Sequence, residues 1–599
     1  MNEIKDYFLI GNLHTAALVS KDGSLDWLCL PRFDSPSLFG KILDERAGSF
    51  FIAEDGFEFE SKYLDDSAIV KTVLRKDGSE ISLKTFMLPE IKNVCGHHFL
   101  IRKIEGISGS GKIVFHLNAK PDYGKSKLKF EIEDSKLSAS VNGANIKIHL
   151  PSDAGVKESG EGINIKVNIA EGESKEIVME YLSDSESPSV DKINFEKETI
   201  DRWNDWLEGA KFYDFCREEQ IRSMIALKLM QYFPTGAIVA APTTSLPSEI
   251  GGVRNWDYRF TWMRDATFTL YSFHILHLEE EAVKFFEYIK RITKKLKNEF
   301  DIHLMYTING DKAPDEKSLS HLSGYKNSQP VRIGNGASTQ FQLDTYGALI
   351  DSYYLMLKKM PKDFEADKEL LVNLAEKINE SWMERDRGIW EVRKDKYHFT
   401  YSKVMCWVGM DRILKIAERI ELSKEEIDKY SALRDEIKDW IWKNCYDEGM
   451  ETFVQYPGAG YQDATNFLFV LLHFLDKHDP RTKKILDKTR EDLVHNKIFV
   501  YRYLADDGIE GKDNAFLLCT FWMISAYAIL EDLDTAVDLF ETFEEYINEN
   551  GLISEQMNPE TGEYLGNYPQ AFSHLGFVMS AYYLDKYKSR KDAEGKIKQ

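Results

Sequence analysis

Cysteine is scarce in this chain and follows no pattern. The six cysteines, Cys29, Cys95, Cys216, Cys406, Cys445 and Cys519, include no C-x-x-C pair and no zinc-ligand spacing. That excludes a disulfide framework and a structural zinc site and leaves small core hydrophobes. Long apolar runs are missing too: no stretch approaches the roughly 18 uninterrupted apolar residues of a membrane span. The opening Met1-Asn-Glu-Ile-Lys-Asp-Tyr lacks the basic and apolar regions of an export signal. A reduced, cytoplasmic protein with no membrane partner is expected. Positive charge is in deficit, 77 Lys and Arg against 99 Asp and Glu, giving a net charge of -22. Such a surface repels phosphate backbones and anionic lipids, so nucleic acid is not an expected partner, while a neutral substrate meets no such penalty.

What is present is a large apolar supply. With 599 residues, 43% hydrophobic and 13% aromatic, the chain can bury more than one core and is expected to form at least two domains. Residues 1–190 read as an antiparallel β-sandwich. Short runs such as Trp27-Leu-Cys-Leu, Ile146-Lys-Ile-His-Leu and Ile163-Asn-Ile-Lys-Val-Asn-Ile are separated by Lys-Asp-Gly, Gly-Ser-Gly and Asn-Gly turns. Residues 191–212 read as a charged helical connection. From 213 to 599 the apolar period is that of helices, roughly a dozen of them. Their character alternates: Phe516-Leu-Leu-Cys-Thr-Phe-Trp-Met-Ile-Ser-Ala-Tyr is apolar nearly all round, while Thr482-Lys-Lys-Ile-Leu-Asp-Lys-Thr-Arg-Glu-Asp-Leu is charged on most faces. Alternation of wholly buried and half-solvated helices predicts two concentric rings, an (α/α)6 toroid.

The loops entering the apolar helices carry the unusual residues. One holds four aromatics, Trp256, Tyr258, Phe260 and Trp262, ahead of Arg264-Asp265. Aromatic faces stack on sugar C–H faces and charged groups grip hydroxyls, which suits a pyranose site. A second is Gly388-Ile-Trp390-Glu391, where a carboxyl beside an indole in a partly dry pocket suits a general acid. A third, Gly551-Leu-Ile-Ser-Glu555-Gln-Met-Asn-Pro, places another carboxylate on a loop between two helices. Glycine-rich Tyr456-Pro-Gly-Ala-Gly-Tyr-Gln-Asp463 fits a loop at the same mouth. In Asp506-Asp-Gly-Ile-Glu-Gly-Lys-Asp513 most acids read as solvated turn residues, with Asp513 as a helix N-cap.

Several of these stretches, in order along most of the chain, resemble glycoside hydrolase family 15, the glucoamylase, glucodextranase and trehalase family. The resemblance is carried by Ile10-Gly-Asn-Leu-His-Thr-Ala-Ala-Leu-Val, Asp22-Gly-Ser-Leu-Asp-Trp-Leu-Cys-Leu-Pro-Arg-Phe-Asp, Asn255-Trp-Asp-Tyr-Arg-Phe-Thr-Trp-Met-Arg-Asp, Gly388-Ile-Trp-Glu-Val-Arg, His398-Phe-Thr-Tyr-Ser-Lys-Val-Met-Cys-Trp and the Glu555 loop. It implies inverting hydrolysis at the non-reducing end of an α-glucoside, with Glu391 as general acid and Glu555 as general base. Inversion requires room for a water between the two carboxyls. By the same match Arg264 and Asp265 grip the terminal glucose, Trp262 walls it, and Tyr258 helps hold the attacking water. Trp390 adds to the wall, while Lys403 and Trp407, four apart on a helix, are expected at the rim. Val392 after Glu391 and Gly511-Lys-Asp-Asn depart from the common family pattern and bear on contacts to the leaving sugar.

The expectation is therefore a glucoamylase-type exo-acting α-glucosidase on short α-glucans. Trehalase is the alternative, because the leaving sugar is read by loop shape. A phosphorylase on the same architecture stands behind both, since it would replace the base by a phosphate pocket, and a binding protein without turnover ranks below because both carboxylates are present. No metal or cofactor is expected, and a homo-oligomer is compatible with the sequence.

Overall fold

A computed structural model describes residues 1–89, 97–133, 135–141, 144–182, 193–295, 302–359 and 367–597, with side chains through 591. Between Tyr7 and Leu182 the strand alternation produces two eight-stranded antiparallel sheets. In Gly162–Ala170 the pattern is plain: Ile163, Ile165, Val167 and Ile169 are buried and Lys166 and Asn168 exposed. One sheet runs, in spatial order, Tyr7–Gly11, Ala16–Ser20, Leu25–Cys29, Ser49–Ile52, Ser110–Asn118, Gly162–Ala170 and Gly155–Ser159, with Ser37–Phe39 added to Leu25–Cys29. The other runs Glu131–Glu133, Lys136–Val141, Ala144–His149, Ser174–Leu182, His97–Ser108, Ser79–Met87, Val70–Lys76 and Glu58–Tyr63. Their facing sides enclose a core that includes Phe50, Leu83, Ile104, Phe115 and Ile165. The Asn142-Gly143 turn, Cys95, residues 191–192 and the expected boundary at 190 lie outside the described residues.

Helix α1 (Phe195–Leu207) crosses to the second half, capped by Asn194, whose side chain accepts from Lys197 N. The helices that follow are α2 (Arg217–Met230), α3 (Ala266–Ile275), α4 (Glu279–Lys295), α5 (Asp344–Lys359), α6 (Lys368–Ser381), α7 (Thr400–Lys415), α8 (Lys424–Asn444), α9 (Leu468–Leu471), α10 (Pro480–Leu493), α11 (Leu517–Ile529), α12 (Leu533–Glu544) and α13 (Ala571–Ile597).

Burial sorts them into an inner and an outer ring. Every residue of α11 is buried, whereas α12 buries a single stripe, Leu533, Ala536, Leu539, Phe540 and Phe543. Helices α3, α5 and α7 pack in succession, α9 packs on α11, α11 on α13, and α13 returns to α3. Trp407 of α7 against Phe474, just past α9, bridges the remaining join. Helices α4, α6, α8, α10 and α12 lie outside. The result is the (α/α)6 toroid behind an N-terminal sandwich.

The two halves share a core. Tyr7, Leu9, Leu18 and Trp27 of the sandwich belong to the same apolar cluster as Met224, Ile225 and Leu229 of α2. That explains why α2 is buried on all sides although it stands in the outer ring. Trp27 donates its indole N–H to Pro242 O at 2.8 Å, so the sandwich also touches a loop that flanks the toroid mouth.

Candidate active site

The mouth opens from a two-stranded ribbon. Backbone bonds Ala240 N to Phe260 O (3.0 Å), Ala241 N to Tyr258 O (3.0 Å) and Ser245 N to Trp256 O (2.9 Å) hold 240–245 against 256–260. In an extended strand successive side chains face opposite ways. Trp256, Tyr258 and Trp262 reach a cleft of about 860 Å³, also lined by Arg264, Asp265, Trp390 and Glu391. The rest of its wall includes Arg254, Asn335, Arg502, Tyr503, Asp507 and Trp522.

Glu391 lines this cleft at the tip of a tight turn. Glu391 N donates to Gly388 O (3.1 Å), Val392 N to Arg387 O (3.2 Å), and Arg264 Nη1 to Ile389 O (2.8 Å). The glutamate sits at φ 58°, a left-handed conformation that a residue with a long side chain adopts only when its surroundings impose it. Its Oε1 accepts from Trp262 Nε1 at 2.8 Å and faces Arg264 Nη1 at 3.5 Å.

Glu555 stands between α12 and α13, just before the hairpin Gln556–Met557 and Tyr564–Leu565. It is buried behind Tyr258: Tyr258 Oη donates to Oε1 at 2.7 Å and Asn567 N to Oε2 at 3.0 Å. Burial pushes its carboxyl up to about 7, against the bonds from Tyr258 and Asn567 and the charge of Arg502, which pull it down. Gly566 makes this fit possible. A Cβ there would lie 2.4 Å from Glu555 Oε2, and the backbone is at φ 74°. Tyr258 and Trp262 meet edge to face at 5.4 Å, so the two carboxylates are joined through neighbouring aromatic side chains rather than set apart in the molecule.

Arg264 and Asp265 form an ion pair at 3.3 Å. Burial opposes the arginine's charge, but Asp265 and Glu391 outweigh it and hold its proton more tightly than usual. Burial raises the Asp265 carboxyl against the pull of Arg264. Asp265 lines the cleft, and its Oδ2 is buried with no hydrogen-bond partner among the described residues. Trp390 holds its plane by donating Nε1–H to Asp463 Oδ2 at 2.8 Å, which places the glycine-rich segment behind the mouth.

Two expected rim residues are elsewhere. Lys403 is fully buried in α7, and its ammonium donates to Trp382 O and to Glu384 O (2.6 Å). Those carbonyls follow the end of α6, where helix geometry leaves acceptors unpaired. Trp407 lies one turn on, packed edge to face on Phe474 at 5.3 Å with Lys438 over its ring. The four-residue spacing does put them on one face, but that face meets the neighbouring helices.

Asp513 is not an N-cap either: α11 starts after Phe516 with no side-chain cap, and Asp513 binds Arg502 at 2.7 and 2.8 Å. Asp507, read as a solvated turn residue, is buried and accepts both Nη atoms of Arg254 at 2.7 and 2.8 Å. These pairs fix the 502–513 segment as a wall of the cleft. Arg254 is remote from Asp507 in sequence, while Arg502 and Asp513 are only 11 residues apart.

The sequence pattern of Glycosyl hydrolases family 15 matches residues 217–582. The chain belongs to that family. Residues 1–196 match a second pattern described as Trehalase-like, N-terminal. Among curated relatives, "Trehalase" of Mycolicibacterium smegmatis is 33% identical, spanning 99% of this chain and 92% of the relative. "Trehalase 1" of Sulfolobus acidocaldarius is 32% identical over 96% of this chain and 98% of its own. A solved structure of a bacterial glucoamylase complexed with acarbose superposes with a TM-score of 0.73 at 16% identity, covering 98% and 94% of the two chains. That likeness bears on the fold, which it shares from end to end. As a family 15 member the protein is a glycoside hydrolase acting on carbohydrate. Among the described residues no helix is long and apolar enough to cross a membrane.

Proposed function

We propose that this family 15 enzyme hydrolyses α,α-trehalose to two glucose molecules with inversion at the attacked carbon. The observation that carries the reading is the match of both halves of the chain to relatives named trehalase, at up to 33% identity over 99% of its length. It replaces the glucoamylase-type expectation, for which the likeness to a solved glucoamylase supports the architecture alone.

The roles are those the family membership implies, and the grouping of Glu391, Tyr258, Trp262, Arg264 and Asp265 at one cleft, with Glu555 bonded to Tyr258, supports them. Glu391, at the cleft surface, donates a proton to the glycosidic oxygen as the C1–O bond breaks. Glu555, with its carboxyl raised to about 7, takes a proton from the water whose oxygen bonds to C1. Tyr258, already on Glu555 Oε1, orients that water. Arg264 and Asp265 grip ring hydroxyls, while Trp262 and Trp390 cover apolar sugar faces. Arg254, Arg502, Tyr503 and Asp507 shape the side that receives the leaving glucose.

The test is a product assay on trehalose, maltose, maltotriose and soluble starch, with and without phosphate, following anomers by proton NMR. Trehalose should yield α- and β-glucose in equal initial amounts, one released with its configuration intact and one inverted. Glu391→Gln and Glu555→Gln should each lower kcat by orders of magnitude. Cleavage of maltotriose with trehalose untouched would replace this reading by the glucoamylase one, and a glucose phosphate product would replace it by phosphorolysis.

A further inference from the structure

The ribbon that presents Tyr258 to Glu555 has a second face, and that face is gripped by the sandwich. Asp257 and Arg259 flank Tyr258 and point away from the cleft, by the alternation of an extended strand. Asp257 is fully buried and Arg259 is 1% exposed. Asp257 Oδ1 accepts from Arg259 Nε at 2.8 Å, and its Oδ2 accepts from Arg259 Nη2 at 2.6 Å and from Gly334 N at 3.1 Å. The rest of the guanidinium is spent on the other half of the molecule: Nη1 donates to Ser35 O at 2.9 Å and Nη2 to Tyr123 Oη at 3.0 Å.

Burying an ion pair is costly unless every donor and acceptor is satisfied, and here all three guanidinium nitrogens are bonded. Interdomain adhesion alone does not require a charged pair on the two residues that bracket Tyr258. The same ribbon is stitched to the Glu555 loop. Thr243 Oγ1 donates to Asn567 Oδ1 at 3.0 Å, Asn567 Nδ2 to Trp256 O at 3.0 Å, and Asn567 N to Glu555 Oε2 at 3.0 Å.

We infer that Arg259 is a positioning residue through which the N-terminal sandwich sets the Tyr258 phenol against the Glu555 carboxylate, making the sandwich part of the catalytic apparatus. The inference rests on the proposed role of Glu555 as base. Displacing a catalytic group by about 1 Å can cost up to about a hundredfold in rate, and a ribbon clamped on one face and hydrogen-bonded on the other has no freedom to drift that far.

Tyr123→Phe removes only the sandwich hydroxyl, and Arg259→Lys keeps the charge but loses the fork. Asp44→Ala is the control, since Asp44 is another buried sandwich residue that bridges the halves, accepting from Ser323 N at 2.9 Å with no hydrogen bond to the ribbon among the described residues. Steady-state kinetics across pH and thermal unfolding are measured for all three and the parent.

Tyr123→Phe and Arg259→Lys should lower kcat about 10- to 100-fold. They should also move the acidic limb of the profile to higher pH by about half to one pH unit, because a looser Tyr258 bond favours the protonated form of Glu555. Arg502 and Asp513, the other charges that face Glu555, and Glu391, which faces Tyr258, stay in place in every variant. Asp44→Ala should lower the unfolding temperature and leave the limb where it is. The inference is overturned if the ribbon variants keep parental kcat and limb, or if they lose activity only in step with unfolding temperature as Asp44→Ala does. Difference infrared titration of the Glu555 carboxyl, parent against Glu555→Gln, reads the same displacement without turnover. Failure of the parent to cleave any glucoside would count against the proposed function, while an unmoved carboxyl in Tyr123→Phe and Arg259→Lys would count against the positioning role.

Discussion

Replacing Glu555 by glutamine should abolish turnover and shift the stability difference from the parent in the variant's favour as pH rises through neutrality. The carboxyl is 4% exposed and sits at about 7 in the folded chain, against an ordinary value of 4.5. Burial is the cause, and it favours the protonated form. Because the folded value lies above the unfolded one, protonated Glu555 contributes to folding fully below about 4.5, and that contribution is lost as pH climbs through about 7. A gap of about 2.5 units at 1.36 kcal/mol each is on the order of 3 kcal/mol. Glutamine, neutral throughout, does not incur the loss. At an unfolding entropy of about 2.1 cal/mol/K per residue, a chain of 599 residues would shift by roughly 2 to 3 °C for that energy. The assay is thermal unfolding of parent and Glu555→Gln from pH 4.5 to 8.5. Glutamine also meets two donors, Tyr258 Oη and Asn567 N, where the carboxylate accepted both, which adds an offset that does not vary with pH. The pH-dependent part is therefore the quantity to read. It should grow in the variant's favour between pH 5 and 8, and a difference in Tm that is flat across the range would refute the reasoning.

Gly566→Ala should lower kcat at least about tenfold and destabilise the chain, since its Cβ would lie 2.4 Å from Glu555 Oε2 at φ 74°; kinetics and melting of one preparation check both. Asp507→Ala strands the buried Arg254 guanidinium and should cost about 3 to 5 kcal/mol in urea unfolding, with Arg254→Met in the same chain recovering part of it. Lys403→Met should lower Tm and leave KM unchanged, because its ammonium serves the backbone carbonyls of Trp382 and Glu384 rather than the cleft; a raised KM with normal Tm would return it to the rim.

Sequence periodicity carried the architecture because the physical demand was local. A helix buried on every side, such as α11, has to be apolar all round, and one that meets water, such as α10, cannot be. Glu391, Trp390, Trp262, Arg264, Asp265 and Tyr258 stand together because each belongs to a loop entering an inner helix, and Glu555 lies directly behind Tyr258. Helical spacing does not reveal which face of α7 meets the mouth, and the face that carries Lys403 and Trp407 packs on the neighbouring elements instead. Arg254, Asp507, Arg502 and Asp513 were hidden for another reason. An acid in a glycine-rich turn looks the same in sequence whether it faces water or a buried arginine, and the Arg254 and Asp507 pair joins loops 253 positions apart.

Closure of α13 onto α2 and α3 has a consequence for how the enzyme comes into being on the ribosome. The sandwich emerges ahead of α2 and can shelter one flank of it, but the opposite flank must wait for α13. Glu555 arrives only just ahead of that helix. A growing chain therefore holds an unfinished circle until the segment that carries Glu555 and α13 has emerged and docked on α2 and α3.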